Sequence, residues 1–254
     1  EQLEAAGVQL IFGIPGLKVH SKICVIEREH EKKNRRYGFV STGNFNESTA
    51  KIYTDYTLFT SNQKILKEVN KVFNFLEVSY KIKKYKHLIV SPHYTASFIS
   101  KQIDIEIQNH RNGLPSGISL KINNITNYPL IDKLYEASQA GVKIKMIVRG
   151  ICCLVPGIKG FSENITVVSV VDKFLEHPRL LIFENAGEKK IYLSSADFMT
   201  RNIENRVEVA CPIYDKELQQ QILDTFNLSW NDNTKARIVN QNPQNKMVKP
   251  SSGE

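Results

Sequence analysis

The sequence predicts an α/β protein made of two similar halves related by a pseudo-twofold, each a mixed sheet flanked by helices. Three observations carry this. The surroundings of His20 recur at His177, 157 residues on: Ala6 to Phe12 and Gly16 to Lys22 align without a gap with Glu163 to Ser169 and Lys173 to Arg179. The match then resumes four residues out of step, Tyr37 to Asn46 against Lys190 to Met199. Each of these stretches is an apolar run closing in a small-residue turn with an amide or carboxylate, Asn44 or Asp197. Around these repeats, short β-type runs alternate with stretches of helical period.

Taken in order, Glu1 to Ala6 reads as the last turns of a helix that Gly7 can close as a C-cap. Val8 to Phe12 follows as a short strand, Gly13 to Gly16 as a turn, and Leu17 to Ile26 as the strand that carries His20. The densely charged stretch Glu27 to Arg36 reads as a solvated hairpin loop, and Tyr37 to Ser41 as the returning strand. Glu47 to Asp55 lines the same edge and offers Tyr53, Asp55 and Tyr56. Leu66, Val69, Val72, Phe73 and Leu76 mark a packing helix from Gln63 to Val78. Leu88 to Val90 is a strand, Thr95 to Asn109 a helix stopped at Asn112-Gly113, and Ile118 to Asn123 a strand. Then come a helix over 130–140, a strand over 142–148 ending in Arg149-Gly150, the pair of strands around His177, and a closing helix from Leu218 to Asn227.

The expected organisation is a first domain over 1–80, a second over 81–240, and a polar, disordered tail over 241–254. Nothing ahead of residue 1 matches the 130–140 helix, the 142–148 strand and Arg149. The first half therefore reads as truncated at its N-terminus.

Composition sets outer limits. Of the 254 residues, 41% are hydrophobic and 24% charged, as in ordinary globular proteins. No run approaches the roughly 18 to 20 apolar residues of a membrane span, and Glu1-Gln2-Leu3-Glu4 lacks a signal peptide's basic region, so a cytoplasmic chain is expected. Cys24, Cys152, Cys153 and Cys211 show no CxxC spacing, and three of them lie in apolar strand-like runs, which points to buried thiols. The net charge of +8 suits a polyanionic partner without selecting which.

The chemistry is expected at the repeat. Residues two apart on a strand share a face, which predicts His20 beside Lys22 and His177 beside Arg179. Packed about the pseudo-twofold, these would bring two histidines and two cations into one cleft, a place to hold a phosphoryl group. A neutral imidazole, with an ordinary pKa of roughly 6.5, is a good nucleophile toward phosphorus. Lys22, Arg149 and Arg179 could balance the charge of the transferring group, with Mg²⁺, while the second histidine protonates the departing group. His30, His87, His93 and His110 have no such setting and read as surface or loop residues.

His20-Ser21-Lys22 with Gly43-Asn44 resembles the HxK…GxN signature of the phospholipase D superfamily, whose two-histidine site works through a phosphohistidine. The strings from Pro15 to Lys22, Ser41 to Glu47, Ala50 to Tyr56, Gly113 to Ile118, Val148 to Gly150, Leu175 to His177 and Leu193 to Asn202 are together similar to the C-terminal catalytic region of the long-chain-forming bacterial polyphosphate kinases. The resemblance covers nearly all of 3–240.

It implies two phospholipase D-like halves and reversible transfer of the ATP terminal phosphate to inorganic polyphosphate, with Mg²⁺. By position, His20 matches the family's phosphohistidine. Tyr53, Arg149 and His177 match its nucleotide-contacting residues, His177 also as acid/base. The family's N-terminal and head domains have no counterpart here, nor does the segment bearing the arginines assigned to its magnesium site, so no metal ligand is identified in this chain.

The implied partners are ATP, ADP and polyphosphate, with neither nucleic acid nor obligatory membrane insertion. The full-length protein would be a homo-oligomer that can associate with a membrane. Two other readings stand beside this one: a phospholipase D-like phosphodiesterase, and an inactive polyanion-binding module for which the basic balance would suffice.

Overall fold

A computed structural model describes residues 1–30, 33–78, 83–241, 244 and 246–248. Its largest sheet has eight strands in the order Arg237–Val239, Ile165–Ser169, Ile144–Val148, Ile118–Ile122, Arg179–Phe183, Lys190–Ser194, Val209–Pro212 and Ile89–Val90. The strands at 118, 144 and 165 run parallel and the remaining pairs antiparallel. Its central strands are apolar almost throughout, as burial on both faces demands. Alternate residues divide between two cores. Leu181 and Phe183 face the helices Thr95–Arg111 and Tyr128–Gln139, while Leu180 and Ile182 face Phe226 of the helix Lys216–Trp230. The mixed α/β class read from the sequence is the one observed.

The first half builds a smaller antiparallel sheet, Lys22–His30, Lys33–Ser41 and Thr57–Thr60, with the helix Gln63–Glu77 packed on it. Asn62 caps this helix by accepting from the Lys64 and Ile65 amides. Leu66, Val69 and Val72 are wholly buried, with Phe73 and Leu76 at the margin of the same core. On the next turn the buried Glu68 carboxylate accepts from three successive backbone amides, Lys86, His87 and Leu88, at 2.7, 2.8 and 2.9 Å. It thereby fixes the segment that leads into the second half. The boundary expected near Tyr80 lies outside the described residues.

Four expectations are corrected. Val8–Phe12 forms no strand: its repeat partner Ile165–Ser169 is held between two neighbours, and no described strand lies beside Val8–Phe12. The charged stretch is ladder, not loop, over 27–30 and 33–36, with Glu27 opposite Arg36 and Arg28 opposite Arg35. The Glu27–Arg36 pair joins opposite charges across the ladder at 2.5 Å, as suits an exposed hairpin. The tail is ordered in part. Met247 bridges to Arg237, the Ile238 amide donates to the Lys246 carbonyl at 2.9 Å, and Val248 packs on the core; the rest of 242–254, apart from Gln244, lies outside the described residues.

The fourth correction shapes the site. The strand expected over Leu17–Ile26 breaks at His20-Ser21, because the chain changes sheets there. Lys18–Val19 pairs in parallel with Arg206–Val207 of the second half, the His20 and Ser21 amides both donate to the Val207 carbonyl, and only from Lys22 does the chain join its own sheet. The second half does the same. Leu175–Glu176 pairs in parallel with Tyr53–Thr54 of the first half, and Pro178, which has no N–H to give a ladder, precedes Arg179–Phe183 in the large sheet. Each histidine thus sits on a crossing between the halves.

Candidate active site

The two crossings form matched hydrogen-bond clusters. His20 Nδ1 lies 2.9 Å from Glu208 Oε2, and His177 Nδ1 lies 2.7 Å from Asp55 Oδ1. Each carboxylate comes from the opposite half. Both are braced by a hydroxyl: Thr42 Oγ1 donates to Asp55 at 2.6 Å, and Ser195 Oγ donates to Glu208 at 2.5 Å. The same hydroxyls accept from the Tyr56 and Val209 amides. Asn202 Nδ2 adds a further bond to Glu208 at 2.7 Å, and Glu208 is almost completely buried.

A carboxylate can only accept. Each imidazole therefore carries its proton on Nδ1, which leaves Nε2 as the free nitrogen when the ring is neutral. Burial pushes the pKa of His177 down. The bond to Asp55 and the Asp55 charge oppose this shift, and Arg179 and Lys22 reinforce it.

The cations hold the backbone at the crossings. Lys22 donates to the His20 carbonyl. Arg179 does the same at the His177 carbonyl, at 2.8 Å. Arg179 is also buried and forks onto Asp197 through Nε and Nη2, at 3.1 and 3.3 Å. The Asp197 carboxylate also accepts from the Asn123 amide and from Asn124 Nδ2, at 2.8 and 3.2 Å. Burial would push its pKa up, but Arg179 and these donors prevail and hold it down.

Lys22 keeps the more open position. Burial brings its ammonium down to about 8, with Glu208 and Asp55 working against the shift and Arg179 and Arg206 adding to it. One lysine thus feels the carboxylates of both histidine clusters, which sets the two clusters close to it.

Arg149 and Tyr53 complete the rim. Arg149 leaves the strand Ile144–Val148, its Nε donates to the Glu176 carbonyl at 2.9 Å, and burial lowers its pKa. The Tyr53 ring lies 5.0 Å from the His177 ring, tilted by 55°. Of the residues singled out in the sequence, His20, Lys22, Tyr53, Arg149 and His177 therefore gather in the cleft, with Arg179 beneath them. The carboxylate partners were not assigned from the sequence, although the repeat contains their signal. The offset of 153 that pairs Gly43 with Ala196 also pairs Thr42 with Ser195 and Asp55 with Glu208.

A magnesium site built by the chain does not fit these residues. Asp55, Glu208 and Asp197 are engaged by histidine, hydroxyl or arginine, and no group of three or more His, Cys, Asp or Glu converges among the described residues.

Two domain models match the chain: polyphosphate kinase C-terminal domain 1 over residues 1–82 and C-terminal domain 2 over residues 88–254. The chain belongs to the polyphosphate kinase family. It is 47% identical over 248 residues to the polyphosphate kinase of Escherichia coli K12, matching 98% of this chain and 36% of that protein. To the polyphosphate kinase of Vibrio parahaemolyticus it is 48% identical over 246 residues, 97% of this chain and 35% of the relative. The chain thus spans about a third of the length of these family members.

The crystal structure of polyphosphate kinase from Porphyromonas gingivalis superposes on all of this chain and 39% of that one, with a TM-score of 0.92 and 38% identity. Phosphatidylserine synthase from Haemophilus influenzae shares the fold alone, with a TM-score of 0.57 and 10% identity over 81% of this chain and 62% of its own. Among the described residues, no helix is long and apolar enough to cross a membrane.

Proposed function

We propose that this chain is the phosphotransfer region of a polyphosphate kinase, in which His20 carries the terminal phosphate of ATP to inorganic polyphosphate and back. The observation that carries the reading is the bond from His20 Nδ1 to buried Glu208, which leaves Nε2 free to act as a nucleophile.

In the first step the Nε2 lone pair forms an N–P bond as the bond from phosphorus to the ADP oxygen breaks. In the second, a terminal polyphosphate oxygen attacks the same phosphorus and the N–P bond breaks. His177 faces this exchange as acid and base. Burial favours its neutral form in the resting cleft, and the negative charge of a bound nucleotide favours the protonated form, ready to give a proton to the leaving oxygen. Tyr53 and Arg149 take the nucleotide, and Lys22 balances charge on the transferring group, as preorganised donors do in other phosphoryl transfers. Arg179 acts from beneath, through its hold on the His177 carbonyl. Mg²⁺ is expected to arrive bound to the nucleotide, where it would neutralise phosphate charge.

The test is incubation with γ-labelled ATP, Mg²⁺ and a polyphosphate primer. Label should enter acid-insoluble polymer, and His20→Ala should abolish this. Hydrolysis of bis(p-nitrophenyl) phosphate in place of polymer formation would move the assignment to a phosphodiesterase. Polymer binding that survives His20→Ala, without any transfer by the unaltered chain or by one extended upstream, would move it to a binding module.

A further inference from the structure

The two clusters differ at two linked positions. In the first half a glycine, Gly43, precedes Asn44, and the carboxylate facing it is Asp55; in the second, Ala196 precedes Asp197, and the carboxylate is Glu208. Gly43 is buried, and a Cβ built on it would lie 1.8 Å from Asp55 Oδ2 and 2.0 Å from its Cγ. A real contact that close does not occur, so a methyl group here would force the Asp55 carboxylate away. Its way out is blocked by function: Oδ1 already holds His177 Nδ1 at 2.7 Å and Thr42 Oγ1 at 2.6 Å. The backbone of Gly43 is outside the left-handed region, so the glycine answers a need for space and not for a special φ. At Ala196 the methyl group is present and buried, yet Glu208, one methylene longer, still reaches His20 Nδ1 at 2.9 Å.

We propose that the residue ahead of each Asn44/Asp197 turn position sets the carboxylate that can hold the facing histidine: bare Gly43 admits the short Asp55 to His177, and Ala196 is matched to the longer Glu208 at His20. Gly43 and Ala196 are then positioning residues, each acting through its carboxylate. The proposal rests on the phosphotransfer reading for its effect on turnover, while its geometry stands apart from that reading.

The test is a compensation experiment read in two ways. This chain, labelled with ¹⁵N at histidine, is prepared unaltered, as Gly43→Ala and as Gly43→Ala with Asp55→Glu, and His177 is assigned by its loss in His177→Gln. The first readout is the His177 Nδ1–H resonance and the titration of the ring, which is faced by Asp55, Arg179, Lys22 and the Tyr53 ring. The second is the rate of phosphate transfer, measured with the same substitutions in the chain extended upstream.

In Gly43→Ala the Nδ1–H signal should be lost to exchange, the His177 pKa should fall further, and kcat should drop about ten- to a hundredfold with little change in KM for ATP. The double variant should recover the signal and bring kcat to within about tenfold of the unaltered chain. If Gly43→Ala does not fold, the reciprocal swap, Ala196→Gly with Glu208→Asp, carries the same comparison at His20. An unchanged His177 signal in Gly43→Ala would overturn the proposal, as would a folded double variant no better than the single one. Resonances that follow the expected order, with no transfer by either this chain or the one extended upstream, would leave the geometry standing and sink the phosphotransfer reading instead.

Discussion

Glu208, from the second half, holds Nδ1 of His20, from the first, at 2.9 Å, and buries its own carboxylate in doing so. The histidine proposed as nucleophile in one half is thus oriented by the other. Glu208→Gln keeps the shape but can present an amide N–H to the ring, favouring the wrong tautomer. Phosphate transfer should fall about 10²- to 10⁴-fold, mainly in kcat, as expected when an orienting carboxylate is lost. Pre-steady-state kinetics would check this; a change confined to KM for ATP would contradict it.

Lys22 should impose an alkaline limit on the reaction. With its pKa brought down to about 8, the free enzyme loses this charge as pH rises through that value, and kcat/KM for ATP should decline there. Lys22→Arg keeps its charge to above roughly pH 12 and should carry the limb upward. The stability effect has the opposite sign. Between about pH 8 and the ordinary lysine value, the unfolded chain binds more protons at this site than the folded one, so this group makes the fold more stable as pH rises.

Asp197 and Arg179 form a buried pair, and removing one partner strands the other. Asp197→Ala should cost about 3–5 kcal/mol, seen as a lower urea midpoint. The folded pKa of Asp197 is held below its ordinary value, so its contribution is complete above that value and is lost as pH falls through the depressed one.

In the proposed nucleotide site, Arg149 presents a planar donor fork with its Nε already anchored on the Glu176 carbonyl. Lysine keeps the charge but not the fork. Arg149→Lys should therefore raise KM for ATP about tenfold or more while the His20 Nδ1–H resonance stays in place. An unchanged KM, measured by initial rates, would remove Arg149 from the nucleotide site.

Much of this was legible in the sequence. The duplicated histidine segments and the helical spacing of Leu66, Val69 and Val72 point to the α/β halves and to the residues that meet in the cleft. The crossing at His20 was not legible, because a run from Leu17 to Ile26 looks like one strand when each residue suits a strand; what breaks it is pairing with Arg206–Val207, almost two hundred residues away. Val8–Phe12 misled for a similar reason, since a β-type run forms a strand only beside a neighbour. Glu208 was legible in principle, but the repeat had to be followed past the turn at Asp197 to pair it with Asp55.

The most direct measurement is mass spectrometry under alkaline conditions, which preserve an acid-labile N–P bond, after incubation with ATP and Mg²⁺. It should be made on this chain and on a longer one extended upstream. The expected result is phosphate on His20, formed in the longer chain and absent from His20→Ala. Phosphate on His177 instead, or on neither histidine in either chain, would contradict the assignment of His20 as the phosphate carrier.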